Sequence, residues 1–131
     1  MPTRQANILI ADDEIFIREG LQEALQKPNY AVATVPDGNQ ARQLLAERDF
    51  HLVILDLRMP GPSGMELLEE IREQHVDTQC IILTAHGNVM TAVEAMRKGA
   101  YDFITKPVDL AHLRLMVDRA LDRFELVAEN R

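Results

Sequence analysis

Residues 51–64 read HLVILDLRMPGPSG. Leu52-Val53-Ile54-Leu55 is apolar at every position and then meets Asp56, after which two prolines and two glycines follow within eight residues. A strand with one face in water alternates apolar and polar residues. An unbroken apolar run instead marks a strand covered on both faces, as in a parallel sheet. A carboxylate is costly to bury without a partner, and the Pro/Gly cluster behind it turns the chain sharply. The stretch reads as a central strand that delivers one charged group to the rim of a sheet.

Four more short runs flank it: NILIA (7–11), AVATV (31–35), CIILTA (80–85) and YDFIT (101–105). The first and fourth of the five runs, like HLVIL (51–55), are apolar nearly throughout. The segments between them carry a helical period. Ile17, Leu21, Ala24 and Leu25 mark the first helix, Ala41, Leu44 and Leu45 the second, and Met65, Leu68 and Ile71 the third. Val89, Val93 and Met96 mark the fourth. Asp109, just after Pro107, is placed to cap a fifth helix carrying Leu113, Val117, Ala120 and Phe124. Strand and helix alternate five times, which predicts an α/β fold: a doubly wound (βα)5 five-stranded parallel sheet with helices on both faces, since parallel neighbours need a crossover.

The 131 residues suit one domain with a real core, and no internal repeat or low-complexity stretch divides them. The net charge of −7 argues against direct nucleic-acid binding, which needs a basic surface. Cys80 is the single cysteine; its setting, QCIIL, predicts a buried hydrophobe. No apolar stretch approaches the ~18 residues of a membrane span, and MPTRQANILIADDE reaches acidic residues too early for a signal peptide. The expectation is an acidic cytoplasmic domain.

In a sheet of this kind ligands bind beyond the carboxyl ends of the strands. Those ends carry Asp12-Asp13-Glu14, Asp56, Thr84-Ala85-His86-Gly87 and Thr105-Lys106-Pro107. Singly, each has an ordinary explanation: a helix cap, a turn, a β-branched strand residue, a surface lysine. Four strand ends each bearing such a group favour a site. Ionised carboxylates 4 Å apart repel by about 4 kcal/mol per pair at an effective dielectric near 20, so the cluster calls for a cation. Oxygen ligands suit Mg²⁺, which takes one or two carboxylates with water and phosphate oxygens. Lys106 adds a point charge for an anion, and Thr84 a hydroxyl. A carboxylate beside Mg²⁺ and a lysine suits formation of an aspartyl phosphate.

With Asp12-Asp13, the run ending in Asp56, DLRMPGPSG, Thr84-Ala85 and Lys106-Pro107 together, the chain resembles the bacterial response-regulator receiver domain over about residues 6–125. The resemblance implies a flavodoxin-like strand order 2-1-3-4-5 and the following roles. Asp56 is similar to the phosphoacceptor. Asp13, Asp56 and the Arg58 backbone carbonyl would hold Mg²⁺, with Mn²⁺ as the alternative ion, and Asp12 would act through metal-bound water. Lys106 matches the phosphate-pairing lysine and Thr84 the switch hydroxyl. Phe103 stands where the family places a rotating aromatic, though a plain core aromatic is the other reading. Lys106-Pro107 would be a cis peptide, and Arg58 and His86 would tune attack by water on the phosphoryl group. HGNVMTAVEAMRKGAYDFITKPVDLAHL resembles the NtrC-like class, whose receivers precede an AAA+ ATPase and a DNA-binding domain.

The implied function is to take a phosphoryl group from a sensor histidine kinase onto Asp56. The surface of the fourth helix, fifth strand and fifth helix would then change, driving a phosphorylation-dependent homodimer or an output domain that regulates transcription. On this reading residues 1–125 form the receiver and 126–131 begin a linker, and the chain assists its own phosphorylation without being a turnover enzyme. Three rivals stand beside it. A flavodoxin-type cofactor binder is disfavoured because ADDEIF would repel its phosphate. A Mg²⁺-dependent aspartyl phosphatase lacks its second acid, because Arg58 stands two residues after Asp56. A phosphorylation-independent interaction module is the third.

Overall fold

Strand and helix alternate five times in the computed structural model, which describes residues 5–85 and 88–130. In chain order the elements are β1 (Ala6–Ala11), α1 (Ile15–Ala24), β2 (Tyr30–Val35), α2 (Gly38–Glu47), β3 (Leu52–Asp56), α3 (Gly64–Gln74), β4 (Gln79–Thr84), α4 (Val89–Arg97), β5 (Asp102–Thr105) and α5 (Leu110–Glu129). The sheet is parallel throughout, in the order β2-β1-β3-β4-β5. Every residue of β3 and β4 is buried, whereas the edge strands β2 and β5 are partly exposed.

Side chains alternate across a strand, so each central strand feeds two cores. Ile8, Ile10, Ile54, Ile81 and Leu83 pack on one face against Leu21 of α1 and Leu113, Val117 and Leu121 of α5. Leu9, Val53, Leu55, Cys80 and Ile82 pack on the other against Ala41 and Leu45 of α2, Leu67, Leu68 and Ile71 of α3, and Ala95 of α4. Each fully buried Leu or Ile contributes about 1.5–3 kcal/mol relative to exposure. Cys80 lies wholly inside, and burial pushes its thiol pKa up to about 12, so it acts as a small hydrophobe. Asp37, Ser63 and Asp109 cap α2, α3 and α5 by accepting backbone N–H bonds, each worth about 1 kcal/mol.

Helix α4 forms where Val89, Val93 and Met96 predict it. These three do not face the sheet, however: they are 68%, 40% and 40% exposed, while Ala92 and Ala95 are buried. The helix carries two apolar stripes, and the alanine stripe lets its backbone approach the sheet closely. Phe103 on β5 is likewise no core aromatic, being 38% exposed. Helix α5 passes position 125 unbroken and ends at Glu129.

Candidate functional site

The carboxyl ends of β1, β3, β4 and β5 meet at one rim. Asp12 follows β1, and its Oδ1 accepts the Glu14 amide at 2.8 Å while its carbonyl accepts Arg18 Nη1 at 2.7 Å. These two bonds fix Asp12, which is fully buried. Asp56 ends β3, and its Oδ1 accepts the Arg58 amide at 3.2 Å. Behind it the chain returns so tightly that the Gly64 amide donates to the Leu57 carbonyl at 3.2 Å. The prolines and glycines of 57–64 thus fold the loop back under the end of β3.

Lys106 reaches across from the end of β5, where its own amide donates to the Thr84 carbonyl at 2.8 Å. Its Nζ lies 2.9 Å from Asp12 Oδ2, 3.1 Å from Asp56 Oδ2 and 3.3 Å from Glu14 Oε1. The contact to Asp12 is an ion pair without good hydrogen-bond angles, so Asp12 Oδ2 remains buried with no directed bond. The Lys106–Pro107 peptide is cis. Thr84 is buried at the end of β4 and lines the same cavity.

That cavity, of about 530 Å³, is bordered by Asp13, Asp56, Arg58, Thr84 and Lys106, and by Asn88 and Thr91 at the start of α4. Asn88, Thr91 and nearby Met65 escaped the sequence reading, because nothing local shows that a residue at a helix start turns back toward the strand ends. His86 lies outside the described residues.

The electrostatics follow from burial and from the neighbouring charges. Burial raises the Asp56 pKa above the usual carboxylate value, and Asp12 adds to it; the Arg58 amide and Lys106 oppose. Burial works against the charged form of Lys106, yet the Asp12 and Asp56 carboxylates outweigh it and hold its pKa above the ordinary lysine value. Burial is thus the main cause at Asp56, and the neighbouring carboxylates are the cause at Lys106. One ligand oxygen from each of Asp12, Asp13, Glu14 and Asp56 can be chosen so that all lie within 4.8 Å of one another. An all-oxygen set with a buried, undirected oxygen among it fits a small hard cation.

Over residues 8–118 the sequence matches the response regulator receiver domain family. The chain belongs to that family. It is 42% identical over 127 residues to the C4-dicarboxylate transport transcriptional regulatory protein DctD of Pseudomonas aeruginosa, covering 97% of this chain and 28% of DctD. Against the DNA-binding transcriptional regulator NtrC of Klebsiella pneumoniae it is 34% identical, covering 88% and 25% of the two chains. The crystal structure of the receiver domain of NtrX from Brucella abortus superposes with a TM-score of 0.83 at 38% identity, covering 88% and 98%. The receiver therefore spans about a quarter of the length of these curated relatives, which are regulators of the NtrC-like class. The expected α/β fold and strand order hold. No helix among the described residues is long and apolar enough to cross a membrane.

Proposed function

We propose that Asp56 is the phosphoacceptor of this receiver, taking a phosphoryl group from the phosphohistidine of a sensor kinase. The observation that carries this reading is the position of Lys106 Nζ, 3.1 Å from Asp56 Oδ2 at the mouth of an acidic cavity. Asp12, Asp13 and Asp56, with the Arg58 carbonyl, would hold Mg²⁺ or Mn²⁺. When bound, that ion supplies positive charge to the transferring oxygens. The chain's own part is mostly positioning. The Arg58 amide orients the Asp56 carboxylate, the rigid end of β3 presents it, and Lys106 meets charge that develops on the phosphoryl oxygens.

Thr84 then bonds a phosphoryl oxygen, and Phe103, exposed on the adjacent strand, turns inward. Val89, Met90, Val93 and Met96 on α4 and Phe103 on β5 form an exposed apolar surface, which suits a homodimer contact or an output domain. Arg58 and His86 set how fast water removes the group. The chain would act once per signalling cycle in the cytoplasm, not as a turnover enzyme. It would lie ahead of AAA+ and DNA-binding domains that control transcription, with residues from 126 onward leading to them.

The test is incubation with Mg²⁺ and a small phosphodonor, followed by hydroxylamine. The wild type is expected to acquire a hydroxylamine-sensitive label and Asp56→Asn none. Undiminished label in the variant overturns the assignment, and no label in either favours a phosphorylation-independent module.

A further inference from the structure

The three carboxylates around Lys106 are not held alike. Asp12 is buried and fixed through Oδ1 by the Glu14 amide. Asp56 is buried and fixed through Oδ1 by the Arg58 amide. Glu14 is different. Its side chain is 60% exposed, and among the described residues its carboxylate has one partner, Lys106, 92 positions away. Glu14 is also the N-cap residue of α1, yet its side chain makes no capping bond. The carboxylate has left the role its position offers and reaches across the site.

Of the three N–H donors of the Lys106 ammonium, one goes to Asp56 and one to Glu14, while Asp12 crowds the same nitrogen as an ion pair at 2.9 Å. A phosphoryl oxygen needs one of those places. Asp12 is buried and anchored through Oδ1 by the Glu14 amide, so it cannot swing away, and Asp56 is the reacting group. Only Glu14 can swing into water at little cost, since exposed pairs are weak.

We propose that Glu14 is a displaceable latch on Lys106, a positioning residue that occupies the ammonium until a phosphoryl group replaces it and so slows phosphorylation of Asp56. The proposal rests on Asp56 being the acceptor. While latched, Glu14 keeps Lys106 partly engaged and adds a negative charge at the mouth that the donor must enter.

The test compares the wild type and Glu14→Gln by the initial rate of labelling with a small phosphodonor and Mg²⁺, at low and high salt. Glu14→Gln is expected to label about two- to five-fold faster at low salt, the range an exposed ion pair allows. The gain should shrink toward unity near 1 M salt, where the Debye length falls to about 3 Å. A merely structural role would not produce that salt dependence. Mg²⁺ titration of each protein without phosphodonor separates the latch from metal ligation, with equal or tighter binding expected in Glu14→Gln. Weaker Mg²⁺ binding in the variant would make Glu14 a ligand and overturn the latch. A labelled wild type with no faster variant overturns the latch alone, whereas an unlabelled wild type overturns the acceptor reading beneath it.

Discussion

A Cβ on Gly64 would stand 2.5 Å from the carbonyl oxygen of Asp56 and 2.7 Å from the Cα of Leu57. The first residue of α3 is thus packed against the backbone of Asp56 and Leu57, and both obstructing atoms are main chain, which cannot step aside as a flexible side chain could. Gly64→Ala should cost about 1–3 kcal/mol, the usual range for overpacking, measured by urea denaturation. It should also lower labelling by a phosphodonor if Asp56 is the acceptor proposed above, because the strain is relieved by moving Asp56. Full stability together with full labelling would show that the loop has slack.

Asp56→Asn should stabilise the fold at pH 7. Near pH 3 and below the carboxyl is largely protonated in folded and unfolded chains alike, and Asp56 contributes little difference. As pH rises, the unfolded chain releases its proton first, because burial raises the folded value. The folded state is then penalised increasingly until pH passes that raised value. Asparagine removes the penalty while still accepting the Arg58 amide. The expected gain is about 0.5–2 kcal/mol, present at pH 7 and absent near pH 3, read from paired thermal melts. A variant less stable than wild type at pH 7 would mean that the Lys106 contact outweighs burial.

Millimolar Mg²⁺ should raise the melting temperature of the wild type beyond any effect of NaCl at matched ionic strength. A ligand present at 100 times its Kd stabilises by about 2.7 kcal/mol. Asp13→Ala should lose most of this shift, since Asp13 supplies one of the clustered oxygens. An equal shift in the variant would exclude Asp13 from the cation site.

Thr84 and Phe103 separate transfer from switching. Thr84→Ala should retain the label on Asp56, because the hydroxyl is not the nucleophile. A tryptophan at position 103, now on an exposed site, should shift its emission to the blue when the phosphodonor is added. Thr84→Ala should abolish that shift in the Phe103→Trp background. A blue shift that survives the loss of the hydroxyl would separate Thr84 from the movement of residue 103.

The particular residues show what was legible. Leu52 to Leu55 announced a doubly covered strand because burial on both faces leaves no room for alternation, and β3 is buried throughout. Asp109 announced a helix start because capping depends on two or three neighbouring amides, and it caps α5. The rim was legible as well, since Asp56 and Thr84 end β3 and β4, and Asp12, Asp13 and Lys106 follow the ends of β1 and β5. Helix α4 was legible as a helix, but not its buried face. Its apolar period is real, but period does not say which of two apolar stripes meets the sheet, and the smaller one, Ala92 and Ala95, packs closer.

By itself, then, the sequence determined the alternation of elements, the doubly covered strands and the set of groups at their carboxyl ends, because burial, capping and turn chemistry act over a few residues. Tertiary structure alone decided that α4 turns its valines and methionines to solvent, that Gly64 presses on the backbone of Asp56, and that Glu14 spans 92 positions to share Lys106. Those relationships depend on how closely layers approach and where strand ends fall in space, which no local pattern encodes.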